Sequence, residues 1–358
     1  AASSGGQIMP PIMGAAAFIM AEMTGIPYGK LILHAALPAV LYYIAVFFMV
    51  DLEAAKQGLA GLEKEKLPRF LSTLKSGAFL LLAPFSIIYL LIIGYTPIKA
   101  SFLAVMIVIV VSMFKKETRL NTARFIEALD KGARSALSII AACAVAGVIV
   151  GTVTLTGLGL KFADLIITLS GGMLVPALFL TMVASLIMSM GMPTTALYII
   201  LGTMVAPALV KMGIPVVAAH LFIFYYGCFA AVTPPVALSS YLAAAIAKAD
   251  PIKTALTGLK LTSTAFLMPF IFAFSPALLL LDTPLLDTIT VVLSSIIGVA
   301  ALSWSLQGFL IRPLNMVLRV VLFLSAIVLI KPGLTSDVIG ISIILSVLIY
   351  QYLKKDLP

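Results

Sequence analysis

Long apolar blocks separated by short polar connections set the pattern of this chain. Eight of them, at 30–50, 76–93, 98–114, 135–156, 260–281, 288–303, 315–331 and 337–353, approach the ~20 residues a helix needs to cross a bilayer. Two further regions are apolar but interrupted. Residues 1–25 are broken at Pro10-Pro11, and residues 172–247 are broken by Gly and Pro at several points. Within the second region the pattern predicts the two arms of a re-entrant helical hairpin, 173–190 and 194–210, turning at Gly191-Met192-Pro193. Residues 216–247 then read as one crossing interrupted at Thr233-Pro234-Pro235. At about 1.5 Å per residue this segment is longer than a straight crossing requires, so a break or tilt absorbs the excess.

Composition agrees with the pattern. The 358 residues are 62% apolar and 10% charged, with a mean hydropathy of +1.19. Soluble domains run about 45–50% apolar and about 25% charged. So few charges cannot build a water-facing shell, which makes this an all-α polytopic membrane protein. Two cysteines, Cys143 and Cys228, make no disulfide framework, and two histidines, His34 and His220, make no His-rich metal site. There is no GxxxxGK[ST] phosphate loop, and no GxSxG, HExxH or paired-Asp pattern on a span, which argues against an enzyme. The excess of Lys and Arg does not imply nucleic acid, because those residues sit between the apolar blocks.

Their placement orients the chain. Lys56, Lys64, Lys66, Arg69 and Lys75 mark one cytoplasmic connection, and Lys115, Lys116, Arg119, Arg124, Lys131 and Arg134 a second. Lys248, Lys253 and Lys260, then Arg312, then Lys354-Lys355 complete the inner side. Connections near 94–99, 282–287 and 331–336, the middle one carrying Asp282 and Asp287, fall outside. The 51–75 and 115–134 connections read as interfacial helices on the cytoplasmic face, in contact with membrane lipid.

Setting Pro10-Pro11 over Pro234-Pro235 gives an offset of 224, which also places Pro27 over Pro251. The charge bias sends the span after the first pair inward and the span after the second outward. Related segments running in opposite directions predict inverted repeats, whose substrate and ion sites lie near the midplane at discontinuous helices. Four regions follow. Residues 1–50 end a first repeat, 51–134 hold cytoplasmic-face linkers and scaffold spans, 135–281 form the second repeat, and 282–358 are extra C-terminal spans. On this offset the partner of the 173–210 hairpin would lie before residue 1, so a missing N-terminal portion or small membrane subunit is expected.

Non-helical backbone at membrane depth must be buried in protein or line a cavity. Three stretches ask for it: Ser3, Ser4, Gly5, Gly6 and Gln7 before Pro10; Ser189 to Thr195, with Gly191, Met192, Pro193, Thr194 and Thr195; and Thr233 and Pro234 with Ser239 and Ser240 beyond. Unwound carbonyls and hydroxyls can dehydrate a small hard cation. Half-helix N-termini, as at Thr194 and Thr195, present N–H groups to an anion. Ser3, Ser4, Gly5, Gly6, Gln7, Gly191, Met192, Pro193, Thr194, Thr195, Thr233 and Pro234 are the candidate ion site, and Thr194, Thr195, Ser239 and Ser240 the candidates for substrate. Bland packing kinks would explain any one break alone. Glu22 and Asp164 are the alternative proton carriers, although Asp164 sits beside Lys161 in an outside connection. His34, His220, Cys143 and Cys228 read as structural. No resident cofactor is expected. A channel, a cation/proton antiporter-like exchanger and a structural subunit of a larger complex are the competing classes.

The stretches SSGGQIMPPIMGAAAFIMAE at 3–22 and GMPTTALYIILGTMVAPALVKMGIPVVAAHLFIFYYGCFAAVTPPVALSSYLAAAIA at 191–247 resemble the large membrane subunit of a tripartite ATP-independent periplasmic (TRAP) transporter. More narrowly they resemble its fused TAXI-type permeases, over about residues 1–281. The resemblance implies an elevator-type secondary transporter of the cell inner membrane. It would import an organic anion, often a carboxylate, received from a dedicated periplasmic binding protein. It also implies coupling to Na⁺, held by hairpin backbone and nearby hydroxyls at the positions just named, with H⁺ as the other coupling ion.

Overall fold

The computed structural model describes every residue except 12, 60, 62–66, 115–117, 191, 282, 331–332 and 354–358. Gly191, Asp282, Lys64, Lys66, Lys115, Lys116, Lys354 and Lys355 therefore lie outside the described residues. Among the described residues eighteen α-helices run in order: α1 (Ala2–Gly5), α2 (Ala15–Thr24), α3 (Tyr28–Lys56), α4 (Phe70–Gly77), α5 (Leu82–Ile92), α6 (Pro97–Ser112), α7 (Thr122–Thr156), α8 (Leu158–Leu169), α9 (Leu174–Met188), α10 (Thr194–Met204), α11 (Ala206–Lys211), α12 (Val216–Phe229), α13 (Leu238–Ala247), α14 (Pro251–Thr262), α15 (Met268–Phe274), α16 (Leu285–Gln307), α17 (Met316–Ile330) and α18 (Leu334–Leu353). Among the described residues there is no β-strand, only an isolated bridge between Phe309 and Pro313. Five helical segments, Tyr28–Lys56, Thr122–Thr156, Pro251–Phe274, Leu285–Gln307 and Thr335–Leu353, are long and apolar enough to cross a membrane. The protein is an all-α polytopic membrane protein.

Several boundaries differ from those expected. Helix α7 does not begin at 135 but runs unbroken from Thr122, where Asn121 Oδ1 accepts the Arg124 N–H at 2.8 Å. Ion pairs Glu127–Lys131 and Asp130–Arg134, each four residues apart, support its polar first turns. Likewise α3 continues six residues past 50. The expected connection around 157–172 contains the amphipathic helix α8, on which Asp164 pairs with Lys211 at 3.3 Å while staying exposed. The expected arm 194–210 is two helices, α10 and α11. Pro207 has no N–H to continue the ladder of α10, and its ring crowds the carbonyl four residues back.

The two Pro-Pro segments share backbone as well as sequence. Both proline pairs are cis, and Met13 and Ala237, 224 positions apart, both adopt left-handed conformations (φ 52° and 34°). Each is followed by a ten-residue helix, α2 or α13, that ends on a left-handed residue, Gly25 or Lys248.

Helix α12 is the buried pillar. Every residue from Val217 to Phe229 is shielded. Its aromatic side pairs with α15 and its approach segment: Phe222 with Phe270, Tyr225 with Phe272, and Phe229 stacked on Phe266 at 4.6 Å between centroids. Such pairs each add roughly 0.5–1.5 kcal/mol beyond burial. On the opposite flank Tyr42 of α3 stacks on Phe229. Tyr42 Oη also donates to the Ala1 carbonyl at 2.7 Å, and Tyr43 Oη to the Ala2 carbonyl at 3.3 Å. This clasp leaves no room at Gly5, where a Cβ would lie 2.6 Å from Tyr42 Cε1 and 2.7 Å from Tyr43 Cζ.

Helix α16 docks on α3, and α17 and α18 pack in turn on α16 and on each other. Lys56 Nζ donates to the Gln307 carbonyl (3.1 Å), and the buried Gln307 Nε2 donates to the Met49 carbonyl (2.9 Å). Lys260 Nζ meets Glu53 Oε2 at 2.6 Å beside them. Arg319 of α17 closes the C-terminus of α16, donating from Nε to the Ser305 carbonyl at 2.8 Å and from Nη2 to the Leu306 carbonyl at 3.3 Å. These carbonyls have no intrahelical donor, and the helix dipole favours a cation there. Further along, Leu329 is held between Gly298 of α16 and Gly340 of α18, the small-residue approach usual between membrane helices.

Two outcomes follow. Arg319→Met should lower the thermal unfolding midpoint in detergent, corresponding to about 1–3 kcal/mol for lost charged hydrogen bonds. An unchanged midpoint would show that the cap contributes nothing. Gly5→Ala should overpack the tyrosine clasp by about 1–3 kcal/mol and accelerate proteolysis near residues 1–14, and unaltered proteolysis would contradict the clasp.

Candidate functional site

Among the described residues, helical geometry is left at 6–11 and 13–14 between α1 and α2, at 189–190 and 192–193 between α9 and α10, and at 233–237 between α12 and α13. All three meet the C-terminal end of α12. From the first break, Gln7 reaches Cys228, whose Sγ donates to Oε1 at 3.5 Å. The Gln7 carbonyl also accepts the Gly14 N–H at 2.9 Å, closing the loop onto the start of α2. From the second break, Thr194 opens α10 against Gly227, where a Cβ would lie 3.3 Å from Thr194 Cγ2 and 2.9 Å from Leu197 Cδ2. Gly227-Cys228 is thus the narrow floor between the two segments. A side chain at 227 would push α10 away.

The third break continues α12 itself. Thr233 Oγ1 donates back to the Phe229 carbonyl at 2.8 Å, which ends the helix with that carbonyl satisfied. After the proline pair, Ser239 and Ser240 begin α13. They line a cavity of about 570 Å³ together with Ser3, Asp250, Lys253, Thr254 and Thr257. Ser240 is buried, and Gly258 makes room for it, since a Cβ there would stand 2.7 Å from its Oγ. Hydroxyls from the two segments related by the 224 offset therefore face one space.

The sequence-derived set divides accordingly. Ser3, Ser239 and Ser240 share the cavity, while Gln7 and Thr194 flank Gly227-Cys228. Thr195 is buried on the first turn of α10, whose leading N–H groups have no intrahelical acceptor. Ser4 is 2% exposed and its Oγ has no hydrogen-bond partner. A buried oxygen without partner calls for an explanation, an ion among them. Met192 packs into an apolar cluster with Ala142, Ala146 and Ala196. Pro193 and Gly6 are exposed, Pro234 is half-buried, and Gly191 is outside the described residues. No carboxylate falls within 1–14, 189–195 or 227–240, so charge in this cluster comes from backbone and side-chain dipoles. Among the described residues no group of three or more His, Cys, Asp or Glu could hold a metal.

Glu22 lies elsewhere. It is exposed and lines a separate cavity of about 600 Å³ with Gly25, Tyr28, Gly94 and Tyr95. His34 Nδ1 donates to the Leu279 carbonyl at 2.6 Å, a structural bond. Sequence reasoning missed Tyr42, Tyr43, Gly227, Lys253, Thr254, Thr257 and Gly258. The small pair Gly227-Cys228 at the end of an aromatic run, just before a break, was the one available signal. It also missed Thr181 and Ser185, fully buried on α9 with unpartnered hydroxyls.

The family model described as "Tripartite ATP-independent periplasmic transporter, DctM component" matches residues 1–284. No match was found among curated proteins. The matched region contains all three breaks and the pillar on which they meet, and ends where α16 begins. The chain belongs to the DctM component family of tripartite ATP-independent periplasmic transporters, a family of multi-pass inner-membrane permeases.

Proposed function

We propose that this chain is the permease of a TAXI-type TRAP system. It imports a small organic anion, a carboxylate by preference, received from a periplasmic binding protein. Import is driven by a Na⁺ gradient through elevator-type alternating access, with the 224 offset marking an inverted repeat. One observation carries the reading: the first break reaches Cys228 through the Gln7 amide oxygen, the start of α10 rests on Gly227 through Thr194, and the third break continues α12, so all three converge on its last turn, with no carboxylate within 1–14, 189–195 or 227–240. Neutral oxygens suit a monovalent cation. The N–H groups that open α10, close by, suit the anion. Lys253 and Asp250 both line the shared cavity, so its wall carries charge of both signs. A proton-coupled exchanger would need a titrating carboxylate in this cluster; Glu22 sits exposed at a different cavity, and Asp250, at the wall of the serine-lined cavity, is an exposed helix cap whose Oδ1 accepts the Lys253 N–H.

Equilibrium ²²Na⁺ binding to the purified protein in nanodiscs tests the coupling ion without knowledge of the substrate. The expected result is saturable binding. Ser4→Ala and Thr195→Val should each weaken it by about tenfold, or roughly 1.4 kcal/mol, with the fold intact by circular dichroism. Absence of saturable binding in a monodisperse sample would overturn Na⁺ coupling, and binding indifferent to both substitutions would move the ion elsewhere.

A further inference from the structure

One buried polar pair is unused by this account. Tyr198 of α10 and His220 of α12 are both shielded, and Tyr198 Oη lies 2.7 Å from His220 Nδ1, either able to donate according to the histidine tautomer. Helix α10 lies antiparallel along α12, with Thr194 beside Gly227 at one end and Gly202 beside His220 at the other. Between them the seam is apolar or aromatic, as where Tyr198 meets Phe224 edge-on. Among the described residues Tyr198–His220 is the only side-chain hydrogen bond between these two helices.

We infer that Tyr198 and His220 are positioning residues that fix the register of α10 on α12, and through it the place of Thr194 and Thr195. The inference rests on the proposed cation site at that end of α10. An apolar seam tolerates small slides, because dispersion contacts are non-directional and re-form after a shift. A 2.7 Å hydrogen bond does not, since a slide of one residue is about 1.5 Å along the axis and breaks it. Both groups would then be unpaired away from water, the costly state for a polar pair. Tyr198 is also one helical turn from Thr194, so the two residues share a face and move together. Gly202 completes the fit: a Cβ there would meet His220 Nδ1 at 3.5 Å, Tyr198 Cζ at 3.5 Å and Met23 Cε of α2 at 3.4 Å. No charged residue competes for the pair: α9, α10, α12 and α15 carry none, α7 carries none after Arg134, Glu22 of α2 and Lys161 of α8 are exposed, and Lys211 of α11 pairs with Asp164.

The test compares Tyr198→Phe, His220→Phe and His220→Asn in the full chain, by hydrogen exchange of peptides covering 194–204 and by ²²Na⁺ half-saturation. Asparagine keeps a hydrogen-bonding atom near the position of Nδ1, and phenylalanine does not. Loss of the bond should speed exchange across α10 by about tenfold and raise half-saturation by about five- to tenfold, with the number of sites unchanged. His220→Asn should behave like the parent protein, and the double Phe variant no worse than either single one. Tyr198→Phe removes one oxygen and keeps the ring, so it carries the test even where His220→Phe does not fold. Unchanged α10 exchange in Tyr198→Phe, or a His220→Asn variant as impaired as His220→Phe, would overturn the inference. A parent protein without saturable Na⁺ binding would instead overturn the cation site, and the exchange data would still decide the pair.

Discussion

Backbone that leaves a helix inside an apolar layer has to find its partners within the protein, and the rest of this structure follows from how that demand is met. Three such departures lean on one helix, α12, shielded from Val217 to Phe229, and above all on its last turn. Gly227 lets α10 come close, Cys228 touches Gln7, and Phe229 is sandwiched between Tyr42 and Phe266. Glycine at 227 and glycine at 5 are demanded by contact distance, each by side chains of a neighbouring helix. A wider residue at either would separate a break from the pillar that supports it.

Outside this centre the molecule is built to hold α3 in place. Its first half clasps α1 through Tyr42 and Tyr43, and its last turns bind α14 through Glu53 and α16 through Lys56 and the Met49 carbonyl. Helices α16 to α18 lie beyond the matched family region, yet they attach to the same helix that secures the first break. Arg319 and Lys56 supply two cations to the C-terminal carbonyls of α16, so this extension is fastened by charge as well as by the glycine-lined packing around Leu329.

Much of this was legible from residues. The positions of the breaks followed from Gly and Pro grouped together in apolar sequence, whereas the single Pro38 is accommodated inside α3 and Gly147 and Gly151 inside α7. The 224 offset, read from three prolines, carries over to the left-handed Met13 and Ala237, a correspondence no side-chain pattern announces. What hydropathy could not supply were helix limits outside the apolar layer. Helix α7 extends back to Thr122 on i,i+4 ion pairs, and α8 is too short and too polar at Lys161 and Asp164 to register as a span. The cavity was half legible. Ser3, Ser239 and Ser240 were named for their nearness to breaks, whereas Lys253, Thr254 and Thr257 join them because α14 packs back against α13, a tertiary fact with no local signature. Tyr198 went unnamed, and His220 read only as structural, for the same reason, since their meaning lies in facing each other across two helices.

The account places a bound cation against the last turn of α12, and a native side chain reports on that point. Cys228 is buried there beside Gln7. With Cys143 replaced by serine, the rate at which a small membrane-permeant thiol reagent modifies Cys228 can be followed in membranes held in Na⁺ or in choline. The account predicts that Na⁺, and not choline at equal ionic strength, slows modification by at least about tenfold, because closing the breaks around the ion suppresses the local opening that admits the reagent. Equal rates in the two salts, with the reagent reacting freely in both, would contradict it.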